Sequence, residues 1–126
     1  MAKKKVLIAN DHAAVEFKKK LIQLLPDYEW IDLGSSGAES VDYPDFSKKL
    51  TDGILSGKAE MGVLACGSGV GMSIAANKVK GIRAVLAWNP LIAELSREHN
   101  HTNVLCLGGR FFAPEYAAEI ARTWIE

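Results

Sequence analysis

Only two cysteines occur in the 126 residues, Cys66 and Cys106, and neither stands in a C-x-x-C or zinc-type spacing. A disulfide framework and a cysteine-based zinc site are therefore not expected. Charge of one sign is equally lacking: fifteen basic residues face fifteen acidic ones, which gives no electrostatic case for binding nucleic acid or an anionic membrane. No apolar stretch approaches the length of a membrane span. The basic run Lys3-Lys4-Lys5 is followed by apolar residues too few for the core of a signal peptide. These absences predict a reduced, cytoplasmic protein. Two nucleotide motifs are missing as well. No G-x-x-x-x-G-K-[ST] occurs, and the nearest approach to G-x-G-x-x-G has Gly67 and Gly69 but Met72 where the third glycine belongs. The next predicted strand, Ile82 to Ala87, ends in Trp88-Asn89 with no acid to hold a ribose hydroxyl, which argues against NAD.

What is present centres on Gly62 to Asn77, reading GVLACGSGVGMSIAAN. An apolar run bounded like a buried strand meets the thiol of Cys66. Glycines follow at every second position, Gly67, Gly69 and Gly71, and then helix-favouring residues from Met72 to Ala76. Strand, glycine loop and helix in this order bring backbone N–H groups and the positive end of a helix dipole close to a ligand. That is an anion cradle, and Cys66 sits at its lip, where the dipole favours thiolate. The plainer reading of the same glycines is tight strand-to-helix packing.

The remaining chain alternates in the same way. Val6 to Ala9 reads as strand one, giving way to Asn10-Asp11-His12. Ala14 to Leu25 has helical period with Lys18, Lys19 and Lys20 outward, and Trp30 to Leu33 reads as strand two, ending at Gly34-Ser35-Ser36-Gly37. Asp42-Tyr43-Pro44-Asp45 opens a helix that closes at Ser56-Gly57. After strand four, Asn89-Pro90 starts a helix running to about Glu98. Strand five spans Val104 to Leu107 and leads into Gly108-Gly109-Arg110. Pro114 starts a last helix with Tyr116, Ala117, Ile120, Ala121 and Trp124 on one face. With no repeat or linker and 48% hydrophobic residues, residues 1–126 form one domain.

Strands alternating with helices predict a three-layer, Rossmann-type (flavodoxin-like) α/β domain, its five-stranded parallel sheet covered on both faces. For strand order 2-1-3-4-5, ligands bind beyond the carboxyl ends of strands one and three. Asp11 and His12 end strand one; Cys66 and Gly67 end strand three. Asp11, His12, Cys66, Ser68 and the 67–71 amides could thus surround a small anion. Each also has a structural reading: Asp11 as a helix cap, His12 as a loop residue, Cys66 as a small buried hydrophobe. The last fits Cys106 better, between Leu105 and Leu107. His99 and His101 lack a nearby third ligand, so no metal site is expected.

The runs Asn10-Asp11-His12-Ala13-Ala14, Asp42-Tyr43-Pro44-Asp45, Cys66 to Lys78, Gly81-Ile82-Arg83-Ala84 and Ser96-Arg97-Glu98-His99-Asn100 closely resemble the ribose-5-phosphate isomerase B family, which also includes galactose 6-phosphate isomerases. The resemblance covers essentially the whole chain. It implies interconversion of ribose 5-phosphate and ribulose 5-phosphate through an enediolate, with no metal or cofactor. In that reading Cys66 is the base, Ser68 handles a proton on the carbonyl oxygen and His99 assists ring opening. Asp11 holds sugar hydroxyls, His12 and Arg110 contact phosphate, Tyr43 and Asn100 line the pocket, and the amides of Gly67, Gly69 and Gly71 stabilise the enediolate. Relatives usually carry a basic tail beyond the helix that ends here at Trp124-Ile125-Glu126, and its arginines have no counterpart in this sequence.

A six-carbon sugar phosphate is the nearest alternative substrate. A non-catalytic sugar-phosphate binding module is another reading, but it would need neither Cys66, Ser68 nor His99. A phosphoryl-receiver domain would need an aspartate at the end of strand three, where Cys66 stands. Chain direction adds an expectation about assembly. The helix from Pro90 starts at the catalytic edge and carries His99 and Asn100 more than about 10 Å to the opposite one. A catalytic His99 then serves a neighbouring subunit, in a homodimer with shared active sites or a tetramer built from it.

Overall fold

The computed structural model describes residues 2–34 and 43–126, with only the backbone of Tyr43. In chain order it contains β1 (Lys5–Asn10), a 3₁₀ turn (His12–Ala14), α1 (Val15–Leu24), β2 (Glu29–Asp32), α2 (Tyr43–Leu55), β3 (Gly62–Cys66), α3 (Val70–Asn77), β4 (Ala84–Leu86), α4 (Pro90–Asn100), β5 (Val104–Gly108) and α5 (Pro114–Ile125). The expected turn at 35–37 and Asp42 lie outside the described residues. All five strands are parallel, as the alternation of strand and helix predicts.

Strand order corrects the sequence reading. It is β2-β1-β3-β5-β4, so β5 lies inside the sheet and β4 forms the edge. Burial explains the exchange. Every residue of β5 is buried, whereas the three residues of β4 are only half-buried, and a continuous apolar strand belongs where both faces are covered. The order also sets the layers. A right-handed crossover puts helices that step one way along the sheet on one face and those that step back on the other. Steps β1 to β2 and β4 to β5 run one way, and α1 and α4 share a face with α5. The opposite steps place α2 and α3 together.

Side chains alternate accordingly. Val6, Ile8, Val63, Ala65, Leu105 and Leu107 point to the α1/α4/α5 side, where the indole of Trp124 is fully buried. Leu7, Ala9, Leu64, Cys66 and Cys106 point to the α2/α3 side. Local chemistry sets the ends of the helices. Gly57 at φ +87° follows α2, a conformation glycine adopts without penalty. Asn89 caps α4 by accepting the Ile92 N–H at 2.8 Å, with Pro90 in the first turn.

One lysine expected on the surface is not there. Lys18 is 4% exposed, and its Nζ meets the Asp32 carboxylate at 3.0 Å. This pair ties α1 to the end of β2, while Lys19 and Lys20 are exposed as expected. Tyr116, expected in the core, is half out of it at 38% exposure, its ring tilted 47° against Phe112 at 5.7 Å between centroids. Among the described residues, no helix is long and apolar enough to cross a membrane.

Candidate active site

At the carboxyl edge of the sheet, β1, β3 and β5 end side by side. Asn10 is opposite Ala65, and the Asp11 N–H reaches the Ala65 carbonyl at 3.2 Å, so Asp11 falls next to Cys66. On the other flank Cys66 is opposite Gly108. Beyond the strands the two chains remain zipped: Gly109 N–H donates to the Cys66 carbonyl at 2.8 Å, and Arg110 N–H to the Gly67 carbonyl at 3.0 Å. The Arg110 side chain crosses directly over Gly67, where a Cβ would stand 3.2 Å from its Cδ. Adjacent strand ends therefore supply a carboxylate, a thiol and a guanidinium.

The glycine loop folds back on the thiol. Gly69, the residue before α3, has φ +86° and donates its N–H to Cys66 Sγ at 3.0 Å. That N–H fixes the orientation of the sulfur at the start of the loop. At that φ an L side chain is strained, and a β-carbon would also press on the Leu107 backbone at 3.1 Å, so the turn calls for glycine. Ser68 Oγ accepts the Val70 N–H at 3.2 Å. With those two amides engaged, the first turn of α3 presents the N–H groups of Gly71 and Met72, donors that a helix cannot satisfy internally. Of the cradle expected from the sequence, Gly69 thus serves the thiol rather than an incoming anion.

Asp11 has both of the roles read from the sequence within reach. Its Oδ1 accepts the Ala13 N–H at 3.0 Å, capping the 3₁₀ turn, and the residue is half-buried beside Cys66. His12 and Arg110 are exposed at the same edge. Tyr43 begins α2, and its side chain lies outside the described residues. The two cysteines differ sharply. Cys66 is 5% exposed, whereas Cys106 is fully buried two register positions below, opposite Leu64, where burial pushes its thiol far above the usual range.

His99 and Asn100 are not brought to this edge. They end α4 at the amino end of the sheet, where the Asn103 carbonyl accepts the Gly62 N–H at 3.0 Å. Gly62 stands four residues before Cys66, which at a strand rise of about 3.3 Å per residue is roughly 13 Å. Two neighbours of the site escaped the sequence reading. Gly108 packs so closely that a Cβ would lie 2.5 Å from the Ser68 carbonyl oxygen. Asn10 is fully buried, its Oδ1 without a partner among the described residues, while its Nδ2 donates to the Asp11 carbonyl at 2.8 Å. A polar residue closing an otherwise apolar strand was the available signal for Asn10; Gly108 gave none beyond being a glycine.

A parallel α/β sheet with a thiol and anion donors at its carboxyl edge defines a small-molecule enzyme of the doubly wound class. Residues 6–126 match the ribose/galactose isomerase family. Ribose-5-phosphate isomerase B of Escherichia coli K12 is 40% identical over 124 residues, covering 97% of this chain and 83% of that protein. D-erythrulose-4-phosphate isomerase of Pectobacterium atrosepticum is 36% identical over 128 residues, covering 96% and 82%. The crystal structure of a ribose 5-phosphate isomerase B from Thermotoga maritima superposes with a TM-score of 0.94 at 47% identity, over 98% of this chain and 86% of that one. The chain belongs to the ribose/galactose isomerase family and is an aldose–ketose isomerase of the ribose-5-phosphate isomerase B type.

Proposed function

We propose that the protein interconverts ribose 5-phosphate and ribulose 5-phosphate, with Cys66 as the base. The observation that carries this reading is the Cys66 sulfur, held by the Gly69 N–H at the strand end flanked by those of β1 and β5. The thiolate takes the proton from C2 of the open aldose, electrons move into an enediolate, and the proton returns at C1. Ser68 moves the proton on the carbonyl oxygen, and the Gly71 and Met72 N–H groups face the negative charge that develops. Asp11 holds sugar hydroxyls, and His12 with Arg110 takes the phosphate; Tyr43 and the Asn100 of a second copy complete the pocket. Every step uses side chains and amides of the protein, with no metal or cofactor.

His99 opens the furanose ring in the cleft of a second copy, because its own Cys66 is out of reach. The edge of the sheet supports such a dimer. Val70 and Ile74 on α3, Leu91 and Leu95 on α4, and Trp88 are large hydrophobics left exposed around β4. Strand extension is blocked there: Asn77 donates to and accepts from the outer edge of Ala84 at 2.9 and 2.8 Å. The second copy therefore packs through side chains, as apolar patches of this kind do. A coupled assay with ribose 5-phosphate beside four-carbon and six-carbon sugar phosphates tests the reading; the relative acting on erythrulose 4-phosphate makes the shorter substrate the alternative. The five-carbon substrate is expected to give the highest kcat/KM, and preference for another length overturns the assignment.

A further inference from the structure

The turn bearing His99 and Asn100 is braced far beyond what ends an ordinary helix. Arg83, just before β4, donates through Nε to the Asn100 carbonyl. Its backbone N–H donates to Asn103 Oδ1 at 2.8 Å, and its carbonyl accepts the Asn103 N–H at 2.9 Å and the Val104 N–H at 3.3 Å. Asn103 also donates from Nδ2 to the Gly81 carbonyl at 3.1 Å. From the core side, Thr102 Oγ1 accepts the Trp124 indole N–H at 3.0 Å and meets Ser96 Oγ at 2.9 Å. Between these anchors His101 is held at φ 51°, the one non-glycine residue with positive φ among those described. Glycine usually occupies that position after a helix.

The side chains this clamp carries are idle within the subunit. His99 and Asn100 are exposed, and neither side chain has a hydrogen-bond partner among the described residues. Arg83 and Asn100 border an open recess of about 350 Å³ beside β4, so the pair can be reached from outside. A locked backbone under free polar side chains is the arrangement that reaction geometry requires, because misplacing a group by about 1 Å can cost roughly a hundredfold in rate.

We propose that Arg83 is a positioning residue for the isomerisation: by holding the Asn100 carbonyl and the Asn103 turn, it fixes His99 and Asn100 for the cleft of the second subunit. The inference rests on the shared-cleft reading above. Arg83 then belongs functionally with His99 and not with the Cys66 of its own chain.

Subunit mixing separates these possibilities. Arg83→Gln should lower kcat about ten- to a hundredfold with KM changed little, while sedimentation still shows a dimer. Arg83→Lys, which keeps a cationic donor, should recover part of the loss. Exchanged with Cys66→Ala subunits, Arg83→Gln should regain activity, because one cleft then combines an intact Cys66 with an intact clamp. Exchanged with His99→Ala subunits it should regain none, since both clefts carry a defective His99 turn. If Arg83→Gln does not fold, Arg83→Lys carries the same test with a smaller loss; if neither forms a dimer, Arg83 is structural and the proposal fails. Wild-type turnover by Arg83→Gln, or rescue by His99→Ala subunits, also overturns it. Cys66→Ala mixed with His99→Ala is the reference. Failure there removes the shared cleft itself, whereas recovery there without the Arg83 pattern removes only the role of Arg83.

Discussion

At Cys66 the chain places a sulfur that accepts an N–H at 3.0 Å and lies one strand away from a carboxylate. If this thiol moves the proton, Cys66→Ala should cut kcat by about 10²–10⁴-fold while the melting temperature and sugar-phosphate binding stay near wild type. Turnover close to wild type would remove the base assignment. Gly108 offers a test that touches no reacting atom. A methyl there meets the Ser68 backbone at 2.5 Å, so Gly108→Ala must displace the loop. We expect a loss of about 1–3 kcal/mol in stability, the usual cost of overpacking, together with lower kcat, read by denaturant melts and steady-state kinetics. The place of Cys66 at the end of a strand, facing the glycine loop, was legible in the sequence because a thiol before alternating glycines is a local pattern. The contact between Gly108 and Ser68 was not, since it depends on which strand lies beside β3.

Among the elements, β4 and β5 show most clearly what a sequence withholds. Local period identified both as strands, yet their order in the sheet is a long-range property. The clue that decides it is comparative: Val104 to Leu107 is unbroken apolar sequence, whereas β4 is short and follows Gly81 and Arg83. Lys18 was misread for a related reason. A lysine run resembles a solvated face, but the stem of Lys18 lies under β2 with its charge paired to Asp32. At the other end of the molecule, Tyr28 joins the start of β2 to α5 by donating its hydroxyl to the Glu126 carboxylate. Burial, and then that hydrogen bond, push the Tyr28 hydroxyl up from 10.0 to about 12. The folded state thus holds this proton more tightly than the unfolded state, so the contribution is complete below pH 10 and is lost as pH rises from 10 to about 12. Chemical denaturation across that range should show stability falling in wild type and falling less steeply in Tyr28→Phe. Equal slopes would mean that the hydroxyl titrates alike in both states.

For the whole molecule, chain direction decides what one subunit can do. The crevice expected from the sequence, beyond the ends of β1 and β3, holds the thiol, the carboxylate and the glycine cradle as read. It survives the exchange of β4 and β5 because both orders keep β1 beside β3. The position of His99 away from Cys66 was legible from chain direction: a helix returning along a parallel sheet must end at the far edge. The braced turn that presents it was not legible, because Arg83, Asn103 and Trp124 meet there only after folding. A single chain therefore holds Cys66 and His99 about a strand length apart, and the proposed reaction requires two copies to join them. The direct measurement is isomerase activity after exchanging Cys66→Ala subunits with His99→Ala subunits in equal amounts, each inactive alone. Half the dimers then carry one mutant of each kind and one complete cleft, so activity should return to about a quarter of wild type. No recovery despite demonstrated exchange, or full turnover by a subunit kept monomeric, would contradict the shared cleft.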